Sequence, residues 1–279
     1  TVSQLGYMVY AIGVGGLMAA QFHLLSHSIF KALLFLSAGA VIHSIGTRDM
    51  LRMGGLGVRM PFVRNVFIVG ALALAGLPIL NGFWSKELIL EAGFTGSPLW
   101  VYALMLFGAG LTAYYTLRMT WLVFFGEQRV EHKLHPTGLM MKLSLGLLAL
   151  GAFTSWLLFG GLNTLLTHTL PFHALKEETT WEVVTALLST PLTWLVLLII
   201  FFGCGIFWIS RERALFLPKG NILINSSFGL ETLNGIVLRS VQGISKKMQI
   251  TQTGQLNWNV FGILLALLIV LAALMWGIS

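Results

Sequence analysis

The chain has 279 residues, of which 56% are apolar and 10% charged, with a net charge of +7 and a mean hydropathy of +0.84. A soluble domain carries about 25% charged residues, so this composition excludes a water-facing globule. The single cysteine, Cys204, excludes an intramolecular disulfide framework and a cysteine-rich metal or iron–sulfur site.

Runs of twenty or so nearly uncharged residues can each cross a hydrocarbon core of roughly 30 Å. Lipid offers the backbone no hydrogen bonds, so these runs are expected to be helices. The ~10-residue alternation of a membrane β-barrel is absent from the sequence. In chain order the predicted crossings are 2–20, 22–44, 62–93, 99–125, 144–168, 183–210 and 258–278. The chain opens on Thr1, directly in helical text, and reads as a fragment or the second half of something longer. The third run is too long for one straight helix. It contains Gly76-Leu77-Pro78 and Asn81-Gly82, and a proline inside a helix removes a backbone donor, so a broken helix is predicted there.

The loops carry the charge. Residues 45–61 hold Arg48, Arg52 and Arg59; 126–143 hold Arg129, Lys133 and Lys142; 211–257 hold Arg211, Arg213, Lys219, Arg239, Lys246 and Lys247. The opposite loops, 94–98 and 169–182, hold only Lys176 as a basic residue. This asymmetry fits the positive-inside rule. It places residue 1 and the long 211–257 stretch in the cytoplasm, and it makes the net positive charge an orienting device rather than a nucleic-acid footprint. Within 211–257, Leu230, Leu233, Ile236, Val237, Val241 and Ile244 recur in steps of three and four. That is the pattern of an amphipathic helix, which either holds down its own bundle or binds a partner.

Three titratable residues stand where lipid should discourage them. His23, His27 and Lys31 follow one another at i, i+4 and i+8 in the second crossing, flanked by Ser26 and Ser28, and so share one helix face. A lysine at the bilayer centre costs roughly 2.5–3.5 kcal/mol even on the gentler insertion scale, so the stripe is expected to face a protein interior. It can be polar glue between helices or a route for protons, since histidine titrates near neutrality. No carboxylate joins the histidines, which disfavours a metal site. Lys86 lies just past the predicted break, beside Glu87 and Glu91. It either meets carbonyls freed by the break or snorkels to an interface. His43, at the far end of the second crossing, either extends the stripe or caps an interface. Tyr7, Tyr10, Tyr114, Tyr115 and Arg118 read as interfacial residues. His132 and His135, beside Glu131, read as a solvated turn. No phosphate loop, nucleophile elbow or HExxH motif is present.

The text Ser3-Gln-Leu-Gly-Tyr-Met8, Phe22-His-Leu-Leu-Ser-His-Ser-Ile-Phe-Lys-Ala-Leu-Leu-Phe35, Met53-Gly-Gly-Leu56, Gly82-Phe-Trp-Ser-Lys-Glu87 and Phe125-Gly-Glu127 resembles the antiporter-like L subunit of respiratory complex I, called subunit 5 in mitochondria. A weaker echo is Thr253-Gly-Gln-Leu256. The resemblance implies an all-α integral membrane fold of inverted repeats with broken helices, a lateral helix and a final anchor. Residues 1–125 would be the second half-channel repeat, 126–210 additional crossings, 211–257 the lateral helix and 258–279 the anchor. It also implies that His23, His27, Lys31 and Lys86 match positions of the family's central proton path, to which Glu87 and His43 are added as candidates from their place in this sequence. Where the family often has an aspartate after the broken-helix lysine, this chain has Glu87.

A proton-translocating membrane-arm subunit, without redox chemistry of its own, follows from that resemblance. NADH, FMN, iron–sulfur clusters and quinone would belong to partner subunits, and no cofactor or metal to this chain. Expected partners are other membrane subunits, including antiporter-like ones and a chain carrying the N-terminal half, together with lipid. The expected location is the inner (plasma) membrane, multi-pass, with the lateral helix on the cytoplasmic side. The alternatives are a subunit of a related cation/proton antiporter, membrane-bound hydrogenase or inorganic-carbon transporter, or a structural remnant that does not conduct.

Overall fold

The computed structural model describes residues 1–127, 137–170 and 175–211, and toward the C-terminus residues 235, 238–243, 245–246, 265 and 268, which are helical. The predicted lateral helix and final anchor, apart from these few positions, and the turn with Glu131, His132 and His135 lie outside the described residues. Thr1–Leu215 and Phe216–Ser279 form two separate units.

The described residues of the first unit form ten α-helices, in the order α1 Val2–Gly13, α2 Leu17–Ile45, α3 Leu56–Arg59, α4 Pro61–Ala75, α5 Asn81–Gly96, α6 Leu99–Thr120, α7 Leu139–Thr154, α8 Phe159–Thr169, α9 Thr180–Ser189 and α10 Pro191–Ser210. A π-helical turn, Trp121–Phe125, extends α6, and a 3-10 turn, Ser155–Leu158, joins α7 to α8. No strand occurs among the described residues. Four of their helical stretches are long and apolar enough to cross a membrane: Leu17–Ile45, Leu99–Phe125, Leu139–Thr169 and Pro191–Ser210.

The helix ends follow from local chemistry. Pro61 and Pro191 stand in the first turns of α4 and α10, where a missing N–H costs nothing. The predicted crossing 183–210 is therefore two helices, because Thr190, preceding Pro191, is extended (φ −80°, ψ 125°) as residues before proline tend to be. The predicted crossing 2–20 is also divided. Gly15 adopts φ +86°, α1 stops at Gly13, and α2 begins at Leu17 rather than 22. The predicted break in the third run falls at residues 76–80, between α4 and α5.

Several polar residues face inward and many large apolar ones face outward. Gln4, His23, Ser26, Asn81, Ser85, Lys86 and Glu87 are buried, whereas Phe35, Phe107, Leu147, Leu198, Phe202 and Ile209 are exposed. Lipid explains that inversion, because buried polar groups must be paired internally while apolar side chains can face the acyl chains. Helix α2 occupies the centre, packed by α1, α4, α5 and α7, while α6 packs against α10. Phe30, Leu34, Leu74 and Phe124 belong to one apolar cluster, and Phe22, Phe83, Phe159 and Leu187 to another. The polar site lies where α1, α2, α4 and α5 meet.

Candidate functional site

The broken helix builds the centre of the site. Helix α4 ends at Gly76, whose φ of +89° is the left-handed cap that glycine adopts without steric cost. The last carbonyls of a helix lack intrahelical partners and carry the negative end of its dipole. Here the Leu72 carbonyl accepts from the N–H groups of Gly76 and Leu77, and the Ala73 carbonyl from that of Gly76. The Leu74 and Ala75 carbonyls accept from Lys86 Nζ, at 2.9 and 3.5 Å. A lysine from α5 thus caps the C-terminus of α4, and Nζ also stands 6.0 Å from the centre of the Tyr7 ring. Lys86 can reach because α5 starts tight against α4. A Cβ on Gly82 would sit 1.9 Å from the Ala73 carbonyl oxygen, so only glycine permits this approach. Glu87, next to Lys86, is buried too, as is Thr193 of α10.

Helix α2 supplies the histidines. His23 is fully buried, with Nε2 3.0 Å from Gln4 Oε1 of α1 and Nδ1 2.9 Å from Ser85 Oγ of α5. His27 is one turn further, its ring 6.2 Å from that of His23 and edge-on to Phe30 at 5.4 Å. Lys31 is half-buried, with Nζ 5.5 Å from the Phe35 ring centre. A step of four residues turns a helix by about 400°, so the stripe drifts roughly 40° per step. That drift carries it from the buried His23 to the half-buried Lys31. His43 is exposed in the last turn of α2. Twenty residues from His23 amount to a rotation of roughly 200°, which puts it on nearly the opposite face. The structure therefore brings His23, His27, Lys86 and Glu87 into the bundle, sets Lys31 at the end of the stripe, and keeps His43 apart.

Sequence reasoning missed the neutral members. Asn81, at the start of α5, donates through Nδ2 to the Ser26 carbonyl (3.3 Å) and to Ser155 Oγ (2.9 Å), tying α5 to α2 and to the 3-10 turn. Gln4 and Ser85 hold His23 from both sides. Their signal was present as fully polar side chains inside apolar runs. Among the described residues, Gln4 Nε2, Ser26 Oγ, His27 Nε2 and Asn81 Oδ1 are buried without a protein hydrogen-bond partner. Buried polar groups of this kind are commonly satisfied by internal water, so the arrangement suits a hydrated interior that can move protons.

A second feature lies at the other end of α5. A cleft of about 560 Å³ is lined by Glu91, Lys176, Glu177, Glu178 and Glu182 among others, and Glu91 is one helical turn beyond the buried Glu87. No group of three or more His, Cys, Asp or Glu side chains is arranged to hold a metal among the described residues.

Residues 1–112 match the family model described as NADH:quinone oxidoreductase/Mrp antiporter, TM. That segment contains every buried histidine, lysine and glutamate just described. NADH-quinone oxidoreductase subunit L of Rickettsia typhi is 44% identical over 164 residues, covering 57% of this chain and 25% of that protein. NADH-ubiquinone oxidoreductase chain 5 of Phytophthora infestans is 44% identical over 160 residues, covering 54% and 24%. The chain is similar to antiporter-like complex I subunits. It spans about a quarter of the length of these relatives. In fold it resembles a chain of the Mrp complex from Dietzia sp. DQ12-45-1b, with a TM-score of 0.65 at 23% identity, covering 100% of this chain and 30% of that one. It also resembles a chain of the membrane-bound sulfane sulfur reductase, an archaeal respiratory membrane complex, with a TM-score of 0.58 at 23% identity, covering 97% and 50%.

Proposed function

We propose that this chain is part of a proton-translocating membrane-arm subunit of NADH:quinone oxidoreductase, and that it carries protons without redox chemistry of its own. The observation that carries this reading is the set of buried titratable side chains, His23, His27, Lys86 and Glu87, inside an apolar bundle whose sequence matches the antiporter family over residues 1–112. Lys31 continues the path from His27, and Lys86 and Glu87 continue it across the broken helix. His43 stands off the path by its position on α2 and serves at its rim. NADH, FMN, iron–sulfur clusters and quinone belong to partner subunits in this reading, as do the neighbouring antiporter-like subunits and the remaining part of the repeat. The chain makes about seven crossings, counting α4 with α5, α7 with α8 and α9 with α10 as one each and 258–278 as the last, in the inner (plasma) membrane with the basic loops in the cytoplasm.

The test is Lys31→Ala in the assembled complex. Coupled proton pumping should fall several-fold while assembly survives, and Lys31→Arg should also impair it, because a guanidinium does not deprotonate in proteins. A normal ratio of protons pumped to electrons transferred in a correctly assembled Lys31→Ala complex would refute the role.

A further inference from the structure

We infer that Ser85 is a positioning residue that lets His23 gain and lose a proton at Nδ1 without moving its ring. The inference rests on the proton-path reading and adds a residue that reading does not contain.

Gln4 Oε1, 3.0 Å from His23 Nε2, is only an acceptor, so Nε2 carries its hydrogen in both charge states of the ring. Any change is confined to Nδ1. Its partner, Ser85 Oγ, lies 2.9 Å away, and Oγ also lies 3.0 Å from the Asn81 carbonyl oxygen and 3.4 Å from that of Gly82. A hydroxyl owns one hydrogen and cannot donate it to Nδ1 and to Asn81 at once. When the ring is neutral, bare Nδ1 accepts the Ser85 O–H. When the ring is a cation, Nδ1–H donates to Oγ and the hydroxyl hydrogen turns to the Asn81 carbonyl. Both states are fully hydrogen-bonded, and a single hydroxyl rotation separates them. The proton balance runs through the hydroxyl: Ser85 passes its hydrogen to Nδ1 and takes one from a protonated water of the hydrated interior, so His23 gains one proton and one positive charge, that water loses one of each, and Ser85 ends with one hydrogen as before.

The second acceptor is held in place. Asn81 is anchored through Nδ2 to the Ser26 carbonyl and Ser155, which fixes the start of α5 against α2. The titratable neighbours of His23 are Lys86 from α5 and His27 from α2, and neither supplies a negative charge to hold the cation. Helix α1 contributes Gln4, and α4, α7 and α8 meet α2 through apolar side chains such as Leu74, Leu145 and Phe159. The two hydrogen-bond partners of the ring are neutral, so the cation depends on Ser85 and Gln4 for its acceptors.

The experiment compares Ser85→Ala and Ser85→Thr in the membrane complex that carries this chain. It reads proton transport against pH and the protonation of ¹⁵N-labelled histidine by solid-state NMR. A hydrogen bond to a charged group is roughly twice as strong as a neutral one, so Ser85→Ala should lower the cationic fraction of His23 about tenfold at a given pH. Transport should slow, most at the alkaline end, and Ser85→Thr should restore both readouts. Wild-type rate, pH profile and histidine spectrum in Ser85→Ala would overturn the inference. So would a Ser85→Thr complex that assembles and is as defective as Ser85→Ala. If Ser85→Ala fails to assemble, Ser85→Cys keeps the side-chain shape with a poorer partner, and an unaltered histidine spectrum there also overturns it. Absence of proton flux in wild-type membranes would count against the transport reading, while the histidine spectra still decide the role of Ser85.

Discussion

The cap that Lys86 forms and the proton exchange proposed for it can be separated by substitution. As an ammonium it satisfies the Leu74 and Ala75 carbonyls; as an amine it can release a proton. Lys86→Ala leaves two buried carbonyls short of a donor, at a cost of about 1–3 kcal/mol, and should lower the melting temperature of the purified complex as well as abolish transport. Lys86→Arg keeps a cation at the helix end but does not deprotonate, so it should melt near the wild type and still fail to pump. Equal melting of all three proteins would show that the cap contributes nothing. His23, His27 and Lys86 were legible in the sequence because charge-bearing residues in apolar text are costly and their spacing put two of them on one face. Gln4, Ser85 and Ser155 were not. A neutral polar residue in a membrane helix has many uses, and these gain theirs only from the register between helices far apart in sequence, as between His23 and Ser85.

Among the elements, the break between α4 and α5 was readable from Gly76, Pro78, Asn81 and Gly82, whose backbone effects are local. The breaks after Gly13 and at Thr190 were not predicted, although Gly15-Gly16 and Pro191 were there to be read, because hydropathy runs continuously through both and masked the punctuation. One detail of the α4–α5 break was invisible in the sequence: Ile79 adopts φ +79°, a left-handed conformation that costs a side-chain-bearing residue about 1–2 kcal/mol. The side chain is exposed, so it recovers little by packing within this chain. Ile79→Gly should therefore raise the unfolding temperature, with transport unchanged if the strain is incidental. A stability unchanged or lowered by this substitution would mean that Ile79 is held by contacts outside this chain.

At the scale of the whole described unit, the two faces differ in charge. Arg48, Arg52, Arg59, Lys142 and Arg211 stand at one set of helix ends, and Glu91, Glu177, Glu178 and Glu182 gather at the other. The basic set was visible as loop composition. The acidic cleft was not, because it joins α5 to a segment more than eighty residues later. In a background with Cys204 replaced by serine, a membrane-impermeant thiol reagent applied from the cytoplasmic side should label Asp49→Cys and leave Glu178→Cys untouched. Labelling of both from one side would reverse or dissolve the proposed orientation.

The place of the break also has an electrical consequence. Helix α4 covers 15 residues and α5 covers 16, or roughly 22 and 24 Å of rise, so in the proposed crossing Lys86 and its carbonyl cap would lie about midway between the two surfaces. A charge crossing the full membrane gains about 2.3 kcal/mol per 100 mV, so one at mid-depth gains about half of that. Energising the membrane by 100 mV should therefore change the proton occupancy of Lys86 about sevenfold, in the direction set by the side from which the proton arrives. The same side chain in a de-energised vesicle would sit at a different point on its titration curve. Transport measured against pH, with and without an imposed potassium-diffusion potential, should show two displaced profiles. Superimposed profiles would mean that the bundle admits enough water around Lys86 to short-circuit the field.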